Sequence, residues 1–281
     1  MNSLVGPYTV ADLCAAFGVS RSGYYAWQSR PPSARQRSDA ALGLELCRQH
    51  TASRQTYGSP RLRAALRRQG HRISRRRVCR LMRQHGLGVK RSRRFVPQTT
   101  DSRHDYPIAP NRLATAPVPT GPDQVWVSDL TYVRTAQGWL YVAAVLDRWS
   151  RRIVGLAMAE HMQTRLVTDA LEQALRQRHP VADCLHHSDR GCQYASQAYR
   201  DCLAQAGLVA SMSRAGNCYD NAAMESFWAK LKNELVYRQN FASRAAARLA
   251  IFEYVEVFYN RQRLHSALGY QSPVDFELQL N

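Results

Sequence analysis

Three carboxylates in this chain have surroundings suited to chemistry: Asp129 in QVWVSDLTYV, Asp189 in HHSDRGCQY and Glu225 in CYDNAAMESFWAKLKNEL. The first two are 60 positions apart, and 35 residues separate the second from the third. Asp129 falls inside a run (Val125, Trp126, Val127, then Leu130, Tyr132, Val133) that is apolar on both alternating faces, the pattern of a strand buried on both sides. Burial raises a carboxyl's pKa and discharges it unless a cation or hydrogen bonds hold it ionised, so a buried trio of acids implies a metal. Oxygen donors suit Mg²⁺ (or Mn²⁺), and two such ions can clamp both oxygens of an in-line phosphoryl displacement. The expected substrate is a phosphodiester. Taken alone, any one of the 21 Asp and Glu reads as a cap, a turn or a solvated charge; the sequence around these three carries the argument.

The elements that must position them follow from pattern. Residues 125–134 form a strand, Ala136-Gln137-Gly138 turns it into a second at 139–146, and Asp147 shapes the turn into a third at 152–158. A helix capped by Thr164 ends at His179-Pro180, and a short strand at 184–187 delivers Asp189 at its end. A helix at 196–206, closed by Gly207, a strand at 208–213 and a helix at 221–235 complete the order β-β-β-α-β-α-β-α. On the last helix Met224, Phe227, Trp228, Leu231 and Leu235 recur at helical spacing and face the core. Glu225 and Lys232, seven residues apart, share a face about two turns long, so Lys232 can reach a phosphate near the metals; by itself it reads as a surface lysine. Asn217, Tyr219, Asp220 and Asn221 enter this helix, while His186 and His187 read as strand-end residues.

The blocks WVSDLTYV, HSDRGCQY and NCYDNAAMESFWAKLK, in this order and at this interval, resemble the catalytic core of the retroviral-integrase-like transposases. More closely they resemble the OrfB proteins of the two-reading-frame insertion sequences, insertion-sequence family three. Tyr259, Asn260, Arg263, His265, Leu268, Gly269, Tyr270, Ser272 and Pro273 match that family's YNxxRxHxxLGYxSP ending, so the resemblance covers nearly the whole chain. It implies an α/β fold with a ribonuclease H-like core, a mixed five-stranded sheet with flanking helices, preceded by small all-α helix-turn-helix modules. It also implies a DDE polynucleotidyl transferase in which Asp129, Asp189 and Glu225 are catalytic and bind metal, Lys232 contacts DNA, and a freed 3′-hydroxyl attacks a second phosphodiester. Related elements encode a helix-turn-helix and leucine zipper in an upstream frame, fused to this one by frameshifting. No run of three or four heptads is present in this chain, so an upstream-frame partner or fusion is expected to help assemble homo-oligomers on DNA. A plain hydrolase of ribonuclease H type and a DNA-binding regulator with a dead site are the rival readings.

Charge supports a polyanionic partner. Residues 1–120 hold 22 Lys and Arg against 5 acids, whereas residues 121–281 hold 17 against 16, so the formal net charge of +18 lies almost wholly in the first part. Residues 1–30 carry a helix-turn-helix-like segment, whose second helix, capped by Ser20, would present Arg21, Ser22 and Tyr24 to DNA or else merely pack. Residues 38–95 form a basic helical domain, with helices at 38–50, from Ser59-Pro60 to Gly70, and from Ser74 onward. Its last helix has an apolar stripe of Val78, Leu81 and Met82, with Arg75, Arg76, Arg77, Arg80 and Arg83 around the rest, and Lys90, Arg91, Arg93 and Arg94 extend the track. Residues 96–122, rich in proline, read as an interdomain linker, 123–240 as the catalytic core and 241–281 as a helical extension containing one long helix at 243–259. Seven scattered cysteines fit reduced thiols; Cys47, His50, Cys79 and His85 lack the order and spacing of a zinc module. Neither a signal peptide nor about 18 successive apolar residues occurs, so a cytoplasmic, nucleoid-associated protein without membrane contact is expected.

Overall fold

A computed structural model of the chain describes residues 8–89, 105–180, 182–214 and 221–280. Strands β1 (Val125–Thr135), β2 (Gly138–Asp147) and β3 (Ile153–Ala159) form the antiparallel meander, and β4 (Leu185–Ser188) and β5 (Val209–Met212) add to it in parallel. The five-stranded order is β3-β2-β1-β4-β5. Alternation along β1 sorts its side chains between two cores. Trp126 and Leu130 pack with Leu166, Val167 and Leu171 of α6 (Thr164–Arg178) and with α7 (Cys192–Ala195) and α8 (Gln197–Gln205). Val125, Val127 and Val133 pack with Met224, Phe227, Trp228 and Leu231 of α9 (Ala222–Glu234) on the opposite face. Side chains of successive strand residues point to opposite faces, so a strand apolar at nearly every position is one covered on both sides.

Two close approaches fix the layers. A Cβ on Gly155 of β3 would stand 2.1 Å from the Ala170 carbonyl oxygen, so only glycine lets α6 lie this near the sheet. Asp147, fully buried, accepts from the Asp123 N–H at 2.7 Å and from the Ser150 N–H at 2.7 Å, which makes it the turn-former between β2 and β3.

Before the sheet, α1 (Val10–Ala16) and α2 (Arg21–Ser29) form the expected short pair, capped by Thr9 and Ser20. The expectation that Tyr24 faces DNA is corrected: only 6% of it is exposed, with its ring against Tyr25 and Trp27, whereas Arg21 and Ser22 are exposed. The basic module consists of α3 (Ala34–Ala52), α4 (Ser59–Arg68) and α5 (Arg75–Gln84). Helix α3 begins four residues before the sequence pattern suggests, because Ser33 and Gln36 form a reciprocal capping box.

The stretch before the core is not wholly a tether. Within 105–122, Leu113 is buried, and the backbone N–H groups of Arg112 and Leu113 donate to Ser211 Oγ of β5, so this end is held on the sheet. The helix expected at 243–259 is present as one continuous run that changes pitch, α10 (Arg244–Glu253) passing directly into a π-helical segment over Tyr254–Tyr259. The widened turn precedes Asn260, whose side chain accepts from Ile153 N–H at 2.9 Å and donates to Ile153 O at 3.0 Å, completing the start of β3. Ser272 then caps α11 (Pro273–Glu277).

The tail also binds the other parts together. Arg263, 1% exposed, donates to Glu234 at the end of α9 at 2.7 Å, and Tyr254 O–H donates to the same carboxylate at 2.8 Å. Tyr57 O–H accepts from Leu264 N–H at 2.7 Å, Arg61 Nε donates to Leu264 O at 2.8 Å, and Arg68 pairs with Asp275 at 3.0 Å. The basic module thereby shares one hydrophobic cluster with α9 and the tail.

Candidate active site

The site is built where β1 and β4 run side by side. Val127 lies opposite His187 in the parallel register, so two residues further on the chain brings Asp129 beside Asp189, just past the end of β4. Asp129 Oδ1 accepts from the Leu130 N–H at 2.8 Å and Oδ2 from Trp228 Nε1 at 3.1 Å. Asp189 Oδ1 accepts from the Gly191 N–H at 2.9 Å. Burial pushes the Asp129 carboxyl up to about 8, with Asp189 and then Glu225 adding to the rise and the two N–H donors opposing it.

Glu225, Trp228 and Lys232 follow at i, i+3 and i+7 on the face of α9 turned to Asp129. Glu225 is exposed in the first turn, and burial still raises its carboxyl. It acts on Asp129 electrostatically, yet among the described residues no three His, Cys, Asp or Glu close on a common ion position. The same holds for Cys47, His50, Cys79 and His85. The two aspartates are therefore adjacent, while Glu225 stands near them. The donor chemistry fits a hard divalent cation: the ligands offered are oxygens only, and Asp129 is a carboxyl whose ionisation needs a neighbouring positive charge.

Lys232 is not a solvated surface lysine. It is 8% exposed, burial lowers its pKa against the opposing pull of Asp129, and its Nζ lies 5.8 Å from the Tyr132 ring centroid. The arginines of α5 divide. Arg77 and Arg80 bind Asp39 of α3 at 2.8 and 2.7 Å, which holds the two helices together and leaves these two arginines partly buried, whereas Arg75 and Arg76 are exposed. Lys90, Arg91, Arg93 and Arg94, like Asn217, Tyr219 and Asp220, lie outside the described residues.

Trp228 and Tyr194 near the acids escape pattern reading, and Asn221 takes the positioning role that the entry to the helix suggests. Trp228 reads as packing alone, but a buried indole N–H needs an acceptor, and here it is Asp129. Asn221 Nδ2 donates to Ser128 O at 3.1 Å, tying the entry of α9 to β1. Tyr194, 1% exposed, lies within electrostatic reach of both aspartates, and its hydroxyl has no hydrogen-bond partner among the described residues. His186 and His187 are structural: His186 Nε2 meets Ser128 Oγ and Tyr199 O–H, and His187 bridges Ser211 and Ser213.

A meander extended by two parallel strands, with one aspartate on the central strand, another just past the end of its parallel neighbour and a glutamate on the facing helix, is the ribonuclease H-like arrangement of an integrase-type core. The integrase core domain families match residues 119–218 and 206–273, and the HTH-like domain family matches residues 37–95. The chain is 50% identical over 264 residues to the insertion element IS600 uncharacterized 31 kDa protein of Shigella sonnei, spanning 94% of this chain and 97% of that one. It is 40% identical over 272 residues to transposase InsF for insertion sequence IS3A of Escherichia coli strain K12, spanning 96% and 94%. The chain belongs to the IS3-family transposases of OrfB type, and is a DDE polynucleotidyl transferase of DNA transposition. Among solved structures, the simian T-cell lymphotropic virus intasome in complex with PP2A regulatory subunit B56 gamma has a TM-score of 0.49 at 13% identity, covering 83% of this chain and 74% of that one, a likeness too distant to bear on the site.

Proposed function

We propose that Asp129, Asp189 and Glu225 are the catalytic acids of this transposase and jointly hold its divalent cations, Mg²⁺ or Mn²⁺, two per site. The observation that carries the reading is the adjacency of Asp129 and Asp189 across β1 and β4, with Asp129 raised by burial and by its neighbour. Bound metal supplies charge for the developing oxyanions and lowers the pKa of the attacking water or 3′-hydroxyl. The chain's own part is positioning. Trp228 Nε1–H holds one oxygen of Asp129, Leu130 N–H holds the other, and Gly191 N–H orients Asp189. Lys232, on the same helix face as Glu225, supplies positive charge to a phosphate beside them.

The domain division follows the same logic: 1–30 and 38–95 engage duplex DNA, 123–240 cuts and joins, and 241–281 braces α9. The enzyme acts as a homo-oligomer on element ends, aided by an upstream-frame protein or fusion, in the cytoplasm on nucleoid DNA. Among the described residues no helix is long and apolar enough to cross a membrane. The test is substitution. Asp129→Asn, Asp189→Asn and Glu225→Gln are each expected to abolish nicking and strand joining while duplex binding remains; an active Asp189→Asn enzyme overturns the assignment.

A further inference from the structure

Strand β1 is long and β4 short. β1 pairs with β2 from Trp126 to Thr135, but with β4 only from Val125 to Val127. Beyond Val127 its second edge has no strand partner among the described residues until Thr135, where Phe241 forms a bridge and Ala136 N–H donates to Phe241 O at 2.9 Å. The gap opens as a cleft of about 810 Å³ between this edge and residues 236–241. Its wall combines aromatic and cationic groups: Tyr132, Trp139 and Tyr237 with Arg134 and Lys232. Trp139 is 45% and Tyr237 42% exposed, a high figure for two large aromatics in one recess.

The rim is held in place. Thr135 O–H donates to Gly138 O at 2.7 Å, Arg244 Nε donates to Trp139 O at 3.1 Å, and Arg244 N–H donates to Gln137 Oε1 at 3.1 Å, so the hairpin tip that carries Trp139 is tied to the start of α10. Tyr132 packs edge to face with Trp139, ring centroids 4.8 Å apart, and carries the Lys232 ammonium near its ring. Rigid aromatics beside cations form the combination that takes unpaired nucleotides: ring faces stack on bases of any identity, and the charges follow the backbone. A duplex keeps its bases stacked on one another and offers no free ring face, whereas unpaired nucleotides present theirs to the aromatic wall of the cleft.

We propose that this cleft binds unpaired nucleotides of the DNA strand leading away from the catalytic acids, with bases stacked on Trp139 and Tyr237 and phosphates facing Arg134 and Lys232. The proposal rests on the reading of Asp129, Asp189 and Glu225 as the catalytic centre, because Lys232 links the cleft to it. It gives the core a preference for DNA that is frayed next to the cleavage point.

The experiment uses the full chain and two fluorescent DNA probes in EDTA: a blunt duplex, and the same duplex with a five-thymidine single-stranded tail. The wild-type protein is expected to bind the tailed probe more tightly. Trp139→Ala and, independently, Tyr237→Ala should each lower the tailed-to-blunt affinity ratio by roughly 5- to 150-fold with blunt binding unchanged, and Trp139→Phe should largely retain it. Far-UV circular dichroism verifies that each variant is folded, and the two alanine variants serve as independent probes should one not fold. Equal wild-type affinity for both probes, or an unchanged ratio in folded alanine variants, overturns the proposal. So does a shift in oligomeric mass on Trp139→Ala with the ratio intact, which would make the recess a protein-docking surface. Asp189→Asn is the discriminating control: it should keep the ratio and lose nicking. If it still nicks, the catalytic reading fails while the nucleotide cleft is judged by the ratio alone.

Discussion

At the residue scale, the acids depend on groups that have no charge of their own. Trp228 fills the core with its ring and uses its one N–H on Asp129, so Trp228→Phe removes the donor and leaves most of the packing. Groups that orient metal-binding ligands commonly contribute about 10- to 100-fold to activity. Nicking by Trp228→Phe is expected to slow by roughly tenfold, with duplex affinity unchanged; rates equal to wild type would show that the bond does not orient the acid. Two histidines predict acid sensitivity. Burial lowers His186 to about 3 and His265 to about 2, so both are neutral in the folded chain, while the unfolded chain protonates them near 6.5. The unfolded state then binds more protons as pH falls from about 6.5 towards 3, and stability is lost in that window at up to about 1.4 kcal/mol per pH unit for each histidine. Chemical denaturation at pH 7 and pH 5 measures this, and His186→Gln should flatten the difference.

At the scale of elements, α9 is the part that must be held still, because Glu225, Trp228 and Lys232 all depend on its angle to β1. The YNxxRxHxxLGYxSP ending acts as its brace. Tyr259 packs edge to face on Phe227 of α9, and Arg263 binds Glu234 where the helix ends. Arg263→Ala leaves the Glu234 charge buried without its main partner, for an expected loss of about 3–5 kcal/mol. Replacing both, with Glu234→Leu and Arg263→Met, should recover most of it in denaturant titrations; no recovery would mean the arginine packs more than it pairs. On the other face, Gly155→Ala places a methyl against the Ala170 carbonyl and should cost at least about 1–3 kcal/mol, read as a lowered Tm.

At the scale of the whole molecule, charge and chemistry occupy different regions, but they are not independent bodies. The net positive charge lies almost wholly before residue 121, yet the basic module is fastened to the tail through Tyr57, Arg61 and Arg68, next to the brace on α9. If α3 to α5 engage DNA as proposed, that DNA is held at a fixed distance from the acids. Each lysine or arginine that neutralises a phosphate steepens the salt dependence of binding by about 0.9 in the log–log slope. In the full chain, Arg75→Ala with Arg76→Ala should reduce that slope by nearly two without altering nicking of bound substrate, whereas Arg77→Ala should chiefly lower stability, because its partner is Asp39. An unchanged slope in the double variant would remove α5 from the DNA interface.

Residue order alone determined the sequence of strands and helices, because apolar periodicity and caps are local signals: each strand of the sheet was legible, as were the turn at Asp147 and the core face of α9, and the sequence around Asp129, Asp189 and Glu225 singled them out as the proposed acids. Partnership between residues far apart was not. Nothing near Arg77 and Arg80 announces that both pair with Asp39, and nothing near Tyr24 announces that it turns inward. Lys232 looks like any helix-surface lysine until the short β4 leaves a recess beside β1 that encloses it. Leu113 reads as linker until β5 offers it a sheet to lie on. Burial, hydrogen-bond partners and the meeting of Asp129 with Asp189 depend on which surfaces pack together, and hydrophobic packing is non-directional along the chain, so only the tertiary structure decides them.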